Sequence, residues 1–183
     1  MFEENIPTNG KKTPHMPKKI TKIRLRNIAL YYLKRYESSV ENLRKVLKTR
    51  IFKYKKYFPE YNVNDALLWV EEVIQELQDL KYIDDNRYAE IKIDSYLAAG
   101  KPARYIKTKL LQKGITENII DCLLKNKDFS PFDAAMKFAQ KKHIGPFCQN
   151  EELRKQNKQK DLRKLINAGF EYETALEVLN FQE

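Results

Sequence analysis

Residues 83–124, IDDNRYAEIKIDSYLAAGKPARYIKTKLLQKGITENIIDCLL, decide the fold. The segment divides into three short helices, 84 to about 99, 102–113 and 116 to about 125, separated by two tight punctuations. Asp84 and Thr116 stand at N-cap positions. Ile83 with Tyr88, and Ile115 with Ile120, have the spacing of hydrophobic staples across those caps. Gly100 and Gly114 are natural helix stops, and Pro102 suits a first helical position. Each helix has one apolar face and is too short to stand alone, so the unit reads as a three-helix module packed against something else.

The same pattern recurs on both sides. Residues 39–50 align with 102–113, which sets Leu43 opposite Ile106 and Leu47 opposite Leu110. Ile51 then falls where Gly114 stands, so the first unit has either a longer second helix through its aromatic and basic segment or a different turn. Ala66, Trp69, Val70, Val73, Leu77 and Leu80 mark an amphipathic helix closing that unit, with Trp69 read as core. A third unit opens at Ser130-Pro131-Phe132-Asp133, with a serine cap, a proline at the first position and an acid at the third. Lys137-Phe138-Ala139 echoes Arg87-Tyr88-Ala89, and 165–170, with Gly169, echoes 110–115. The expected fold is all-α: three tandem three-helix repeats at 23–80, 81–127 and 128–183 after a basic tail at 1–22, stacked into an elongated, curved body. A single compact helical bundle is the competing architecture.

Charge is segregated along the chain. Residues 1–60 hold sixteen Lys/Arg against five Asp/Glu, residues 61–100 three against nine, and residues 101–127 seven against two, within an overall net charge of +10. That balance suits an anionic partner, and surfaces of opposite sign are expected. Cys122 and Cys148 lack further ligands at metal spacing, and Cys122 reads as a small buried hydrophobe. No glycine loop for phosphate, zinc cluster or nucleophile with a histidine base is evident, so no cofactor is expected and the chain reads as a binding protein. The Asp84-Asp85 pair resembles a catalytic carboxylate pair, but helix-start signals account for at least one of the two acids. With no apolar run of membrane length and no export signal at the start, the expected location is cytoplasmic.

Several short motifs occur together in order: Tyr82-Ile83-Asp84-Asp85, Arg87-Tyr88-Ala89, Gly100-Lys101-Pro102 with Arg104-Tyr105-Ile106, and Lys113-Gly114-Ile115. In this combination the chain resembles the RecX family, bacterial modulators of the recombinase RecA. It departs from the family pattern at Ala98, where a glycine is usual, and at Asp94 and Tyr96, where many members carry arginine. The resemblance implies three tandem three-helix repeats and a regulator that binds the RecA filament on single-stranded DNA and restrains recombinase and co-protease activity. A helical nucleic-acid-binding regulator that engages no recombinase is the alternative, and an adaptor for another protein a third.

Candidate contacts to partner or DNA follow from the distribution of cations. In the first unit they are Arg44, Lys45, Lys48, Lys53, Lys55 and Lys56, interleaved from Phe52 onward with aromatic residues that could stack on a base. In the middle unit they are Lys101, Arg104 and Lys107 at three-residue steps, and the family resemblance singles out Arg104. In the third unit they are Lys141, Lys142, Arg154, Lys158 and Arg163. Asp84, Asp85, Gly100, Pro102, Gly114, Thr116, Ser130 and Gly169 are assigned to turns and caps. The expected partners are the RecA filament and single-stranded DNA within it, with the protein acting as a monomer away from any membrane.

Overall fold

The computed structural model describes residues 16–181. Lys11, Lys12 and most of the proposed tail lie outside the described residues. Nine α-helices follow one another without a strand among the described residues: α1 (Lys22–Leu33), α2 (Val40–Tyr57), α3 (Asn64–Asp79), α4 (Asp85–Ala98), α5 (Ala103–Leu111), α6 (Glu117–Lys125), α7 (Pro131–Lys142), α8 (Glu151–Ala168) and α9 (Tyr172–Asn180). A short 3-10 turn at Gly145–Phe147 joins α7 to α8.

The helices begin where side chains can satisfy free amide ends. Thr21, Ser39, Asp84, Ser130 and Asn150 each accept a hydrogen bond from a first-turn backbone N–H of the helix that follows. Thr116 occupies the cap position of α6 without a side-chain capping bond, and Pro102 is the N-cap of α5, one residue ahead of its expected place. At the other ends, Gly114 and Gly169 adopt φ +81° and +104°. Behind them the Ile115 amide donates to the Leu110 carbonyl at 3.1 Å, and the Phe170 amide to the Leu165 carbonyl at 3.2 Å. These bonds close the last turn and aim the next apolar residue back at the core.

Three hydrophobic clusters divide the chain. The first gathers Leu25 of α1, Leu43, Leu47 and Ile51 of α2, and Val70, Val73 and Leu77 of α3. The second gathers Ala89, Ile93, Ile106, Leu110, Ile115 and Ile120 from α4 to α6, and the third Ala135, Ala139, Leu165, Phe170, Ala175 and Val178 from α7 to α9. Leu43, Leu47, Ile106 and Leu110 are all fully buried, so the repeat read from sequence superposes equivalent core positions. Of the two alternatives left open for the first unit, the longer helix is observed, with α2 running unbroken through Tyr57. Trp69 is only partly buried, against the edge of the first core.

Two expectations are corrected. Cys122 is exposed, because Ile119, Ile120, Leu123 and Leu124 carry the inward face of α6 and leave it on the outer side. Ile83 and Tyr88 belong to different clusters, the first and second cores respectively, so the segment around Asp84 is anchored in both modules.

Consecutive modules meet through polar contacts at helix ends. Ser39 Oγ accepts from the Asn42 amide at 3.2 Å, capping α2, and donates to the Lys113 carbonyl at 2.6 Å just beyond α5. Asp85 Oδ1 accepts from the Val40 amide at 2.8 Å, so a residue of the second module caps a helix of the first. Arg87 Nε bonds Glu37 at 2.9 Å beside this junction. At the next one Gly169 lies against Pro102 and Arg104 at the start of α5, and Gly100 lies against Lys137 and Ala134 of α7. The turn after the second helix of one module therefore abuts the start of the second helix of the module before it, at both junctions. This serial docking gives the elongated repeat architecture.

The paired acids at 84 and 85 are thus two caps for two helices. Asp84 serves α4, and Asp85 serves α2. Burial raises the Asp85 carboxyl above its ordinary range, opposed by the Val40 hydrogen bond. A raised folded-state pKa means that stabilisation is fully present below the unfolded value of about 3.9 and is lost as pH rises through the folded value. Asp85→Asn keeps the acceptor and removes the titration. At pH 7 it is expected to be at least as stable as the parent, whereas Asp85→Ala, which strips the cap, is expected to lose about 1 kcal/mol. Urea unfolding of the three proteins between pH 3 and pH 7 checks this, and equal losses for Asn and Ala would remove the capping role.

Candidate nucleic-acid and partner interface

Pairing sorts the cations into those that tie elements of the fold together and those without a carboxylate partner among the described residues. Carboxylates of α3 take one side of the first module: Glu72 pairs with Lys22 at 2.7 Å, Glu76 with Arg26 at 2.6 Å, and Glu71 with Arg44 at 2.9 Å. Arg44 also binds Glu41, and that hydrogen bond holds the Glu41 carboxyl below its usual range. Arg44 is therefore a strut between α2 and α3. Lys55 reaches back to the Tyr61 carbonyl at 2.8 Å. Lys45 makes only a 3.8 Å approach to Glu41, while Lys48, Lys53 and Lys56 have no carboxylate partner among the described residues. Phe52 and Tyr57 project from the same helix, and Tyr54 points into the core.

In the middle module the three-residue series splits. Lys107 bonds Glu117 at 2.5 Å and Asp121 at 3.2 Å, tying α5 to α6, and these hydrogen bonds raise its pKa. Arg104 is exposed, without a carboxylate partner among the described residues. The Lys101 and Lys109 ammonium groups lie 5.0 and 5.6 Å from the Tyr105 ring centre, and the Tyr96 ring meets Tyr105 edge-on at 5.6 Å. Arg104, Tyr105, Thr108 and Lys109 face residues 166–169 across an open groove. The cations in and just before α5 without a carboxylate partner among the described residues are thus Lys101, Arg104 and Lys109. Asp94, one of the departures from the family pattern, pairs with Lys127 at 2.7 Å and stitches the end of α6 to α4.

The third module's cations also divide. Arg154 Nη2 donates to the Phe181 and Leu179 carbonyls at 2.7 and 3.3 Å, closing the end of α9, and Lys158 donates to Asn180 Oδ1 at 2.6 Å. Lys141, Lys142 and Arg163 are exposed. His143, just past α7, takes a left-handed conformation at φ +52°. No cluster of three or more metal-ligating side chains occurs among the described residues, and no described helix is long and apolar enough to cross a membrane.

Sequence reasoning misses the face of α1 turned toward α2. Tyr31 is 60% exposed there, and Tyr36, just beyond the helix, is 56% exposed. The Arg35 guanidinium covers the Tyr31 ring at 4.4 Å. The signal that could have found this face is the run Arg24, Ile28, Tyr31 and Arg35, whose four- and three-residue steps define a stripe distinct from buried Leu25 and Ala29.

Comparison with known proteins agrees with this architecture. Residues 84–124 match the family model for the second three-helix domain of RecX. The regulatory protein RecX of Myxococcus xanthus (strain DK1622) is 33% identical over 169 residues, which cover 91% of this chain and 90% of that protein. The chain belongs to the RecX family. The relative from Streptococcus mutans is 29% identical, and there this RecX-family chain spans only 52% of the relative's length. The crystal structure of RecX from Lactobacillus salivarius has the same fold, with a TM-score of 0.61 at 21% identity, covering 86% of this chain and 94% of that one.

Proposed function

We propose that this RecX-family chain is a regulator that binds a RecA filament assembled on single-stranded DNA and restrains its recombinase and co-protease activities. In this reading it works in the cytoplasm as a monomer and catalyses no reaction itself. The observation that carries it is the similarity to a regulatory protein RecX along nine-tenths of both chains. The geometry supports it: a serial array of modules can reach across neighbouring protomers, and unpaired cations on α2, α5 and α8 can approach phosphates or acidic protein surface.

The test adds purified protein to preformed RecA filaments on single-stranded DNA and follows binding, strand exchange and nucleotide hydrolysis, with free DNA as competitor. Filament-dependent binding with loss of strand exchange is expected. Tight binding to free DNA without any effect on the filament would overturn the proposal. Within this assay, Lys101→Glu with Arg104→Glu should raise the concentration for half-inhibition roughly tenfold at unchanged helical content. Lys107→Ala, which removes only a tie between α5 and α6, should leave it nearly unchanged.

A further inference from the structure

The groove between α1 and α2 has the composition of a single-strand binding track. One wall is Arg24, Ile28 and Tyr31 of α1 with Arg35 in the turn just beyond it, and the α2 wall includes Lys45, Arg50, Lys53 and Tyr57. Two adjoining depressions share Ile28 and Arg50, so the groove runs along the helix pair, and among the described residues no acidic side chain lines either one. The depression beside Tyr31 encloses about 520 Å³, within the ~300–1,000 Å³ of small-ligand clefts.

The surrounding charges explain why this side remains free. Glu71, Glu72 and Glu76 engage Arg44, Lys22 and Arg26, the cations of the α3 side. Arg24, Arg35, Arg50 and Lys53 have no carboxylate partner among the described residues. The aromatic groups are positioned as well as exposed. Arg35 covers one face of Tyr31, and Tyr32 is fixed by the Asn42 amide nitrogen, which donates to its hydroxyl at 2.8 Å. Tyr36 sits 5.2 Å from the Tyr32 ring. Flat rings beside unpaired cations accept any base by stacking and the backbone by charge, and a continuous duplex would offer its phosphates but not its base faces.

We infer that the α1–α2 groove binds free single-stranded nucleic acid directly, stacking bases on Tyr31 and Tyr36 and holding phosphates with Arg35, Lys45 and Arg50. This deepens the nucleic-acid part of the reading above and rests on it to that extent, but it needs no recombinase. The experiment is an anisotropy titration of the full chain with labelled oligothymidylate, an abasic strand of equal length and charge, and a duplex, without recombinase present.

Oligothymidylate should bind most tightly. Tyr31→Ala with Tyr36→Ala should weaken it about tenfold, whereas Tyr31→Phe with Tyr36→Phe should stay within about twofold, since the ring face is kept. Lys45→Gln with Arg50→Gln should flatten the logarithmic salt dependence by about 0.7 for each phosphate no longer neutralised. Equal binding of the abasic strand, preference for duplex, or indifference to the alanine pair in a folded protein would each overturn the inference. Failure here with intact filament inhibition would leave the regulatory reading standing, and success with no filament effect would do the reverse.

Discussion

Gly114→Ala should destabilise the protein by about 2–4 kcal/mol, the larger part of it at the junction between the first two modules. Two costs combine. Gly114 sits at φ +81°, where an L-residue is penalised by roughly 1–2 kcal/mol. A methyl group there would also overlap the Cβ of Glu41, whose backbone is held in the first turn of α2. Gly169→Ala is the matched control, with φ +104° but only ordinary contacts, 3.4 Å to Pro102 Cγ and 3.7 Å to Arg104 Cβ. It should cost only the conformational part, about 1–2 kcal/mol. Urea denaturation of both variants measures the difference, and hydrogen exchange at the Val40 amide reports whether the junction has opened. Equal losses in the two variants would show that the Glu41 contact carries no weight.

Leu110→Ala should cost about 2–5 kcal/mol, while its neighbour Leu111→Ala should stay within about 0.5 kcal/mol. Leu110 is 1% exposed in the smallest of the three units, against Ile93, Ile106 and Ile120; Leu111 is 45% exposed. The truncation removes transfer energy and leaves a void that three short helices cannot collapse around without disturbing the rest of their packing. Thermal melts of the two single variants suffice, and a comparable drop in both would contradict the assigned face of α5.

Much of the fold is legible in the sequence because local signals agree with one another. Asp84, Ser130, Gly114 and Gly169 mark ends in both the sequence and the structure, and the spacing of Leu43, Leu47, Ile106 and Leu110 reveals the repeat. What sequence does not show is partnership. Nothing local says that Asp85 caps a helix forty-five positions earlier, or that Lys107 and Arg154 are already occupied by Glu117 and the Phe181 carbonyl. Periodicity also assigns a residue to a face without saying whether another helix covers that face. It therefore places Cys122 inside, although that residue is exposed. The candidate interface suffers most, because one cation resembles another until its neighbours are known.

The Ser39 hydroxyl has one proton to give and lone pairs to offer, and it spends both in different modules. Cutting the chain after residue 80, where the helix pattern suggests a clean boundary, would leave that proton without its carbonyl, the Val40 amide without its carboxylate, and the first core still needing Ile83. The repeats are consequently units of geometry whose ends are completed by their neighbours. A fragment built on the visible period should begin life with frayed ends, and a functional minimal piece must be measured in pairs of modules.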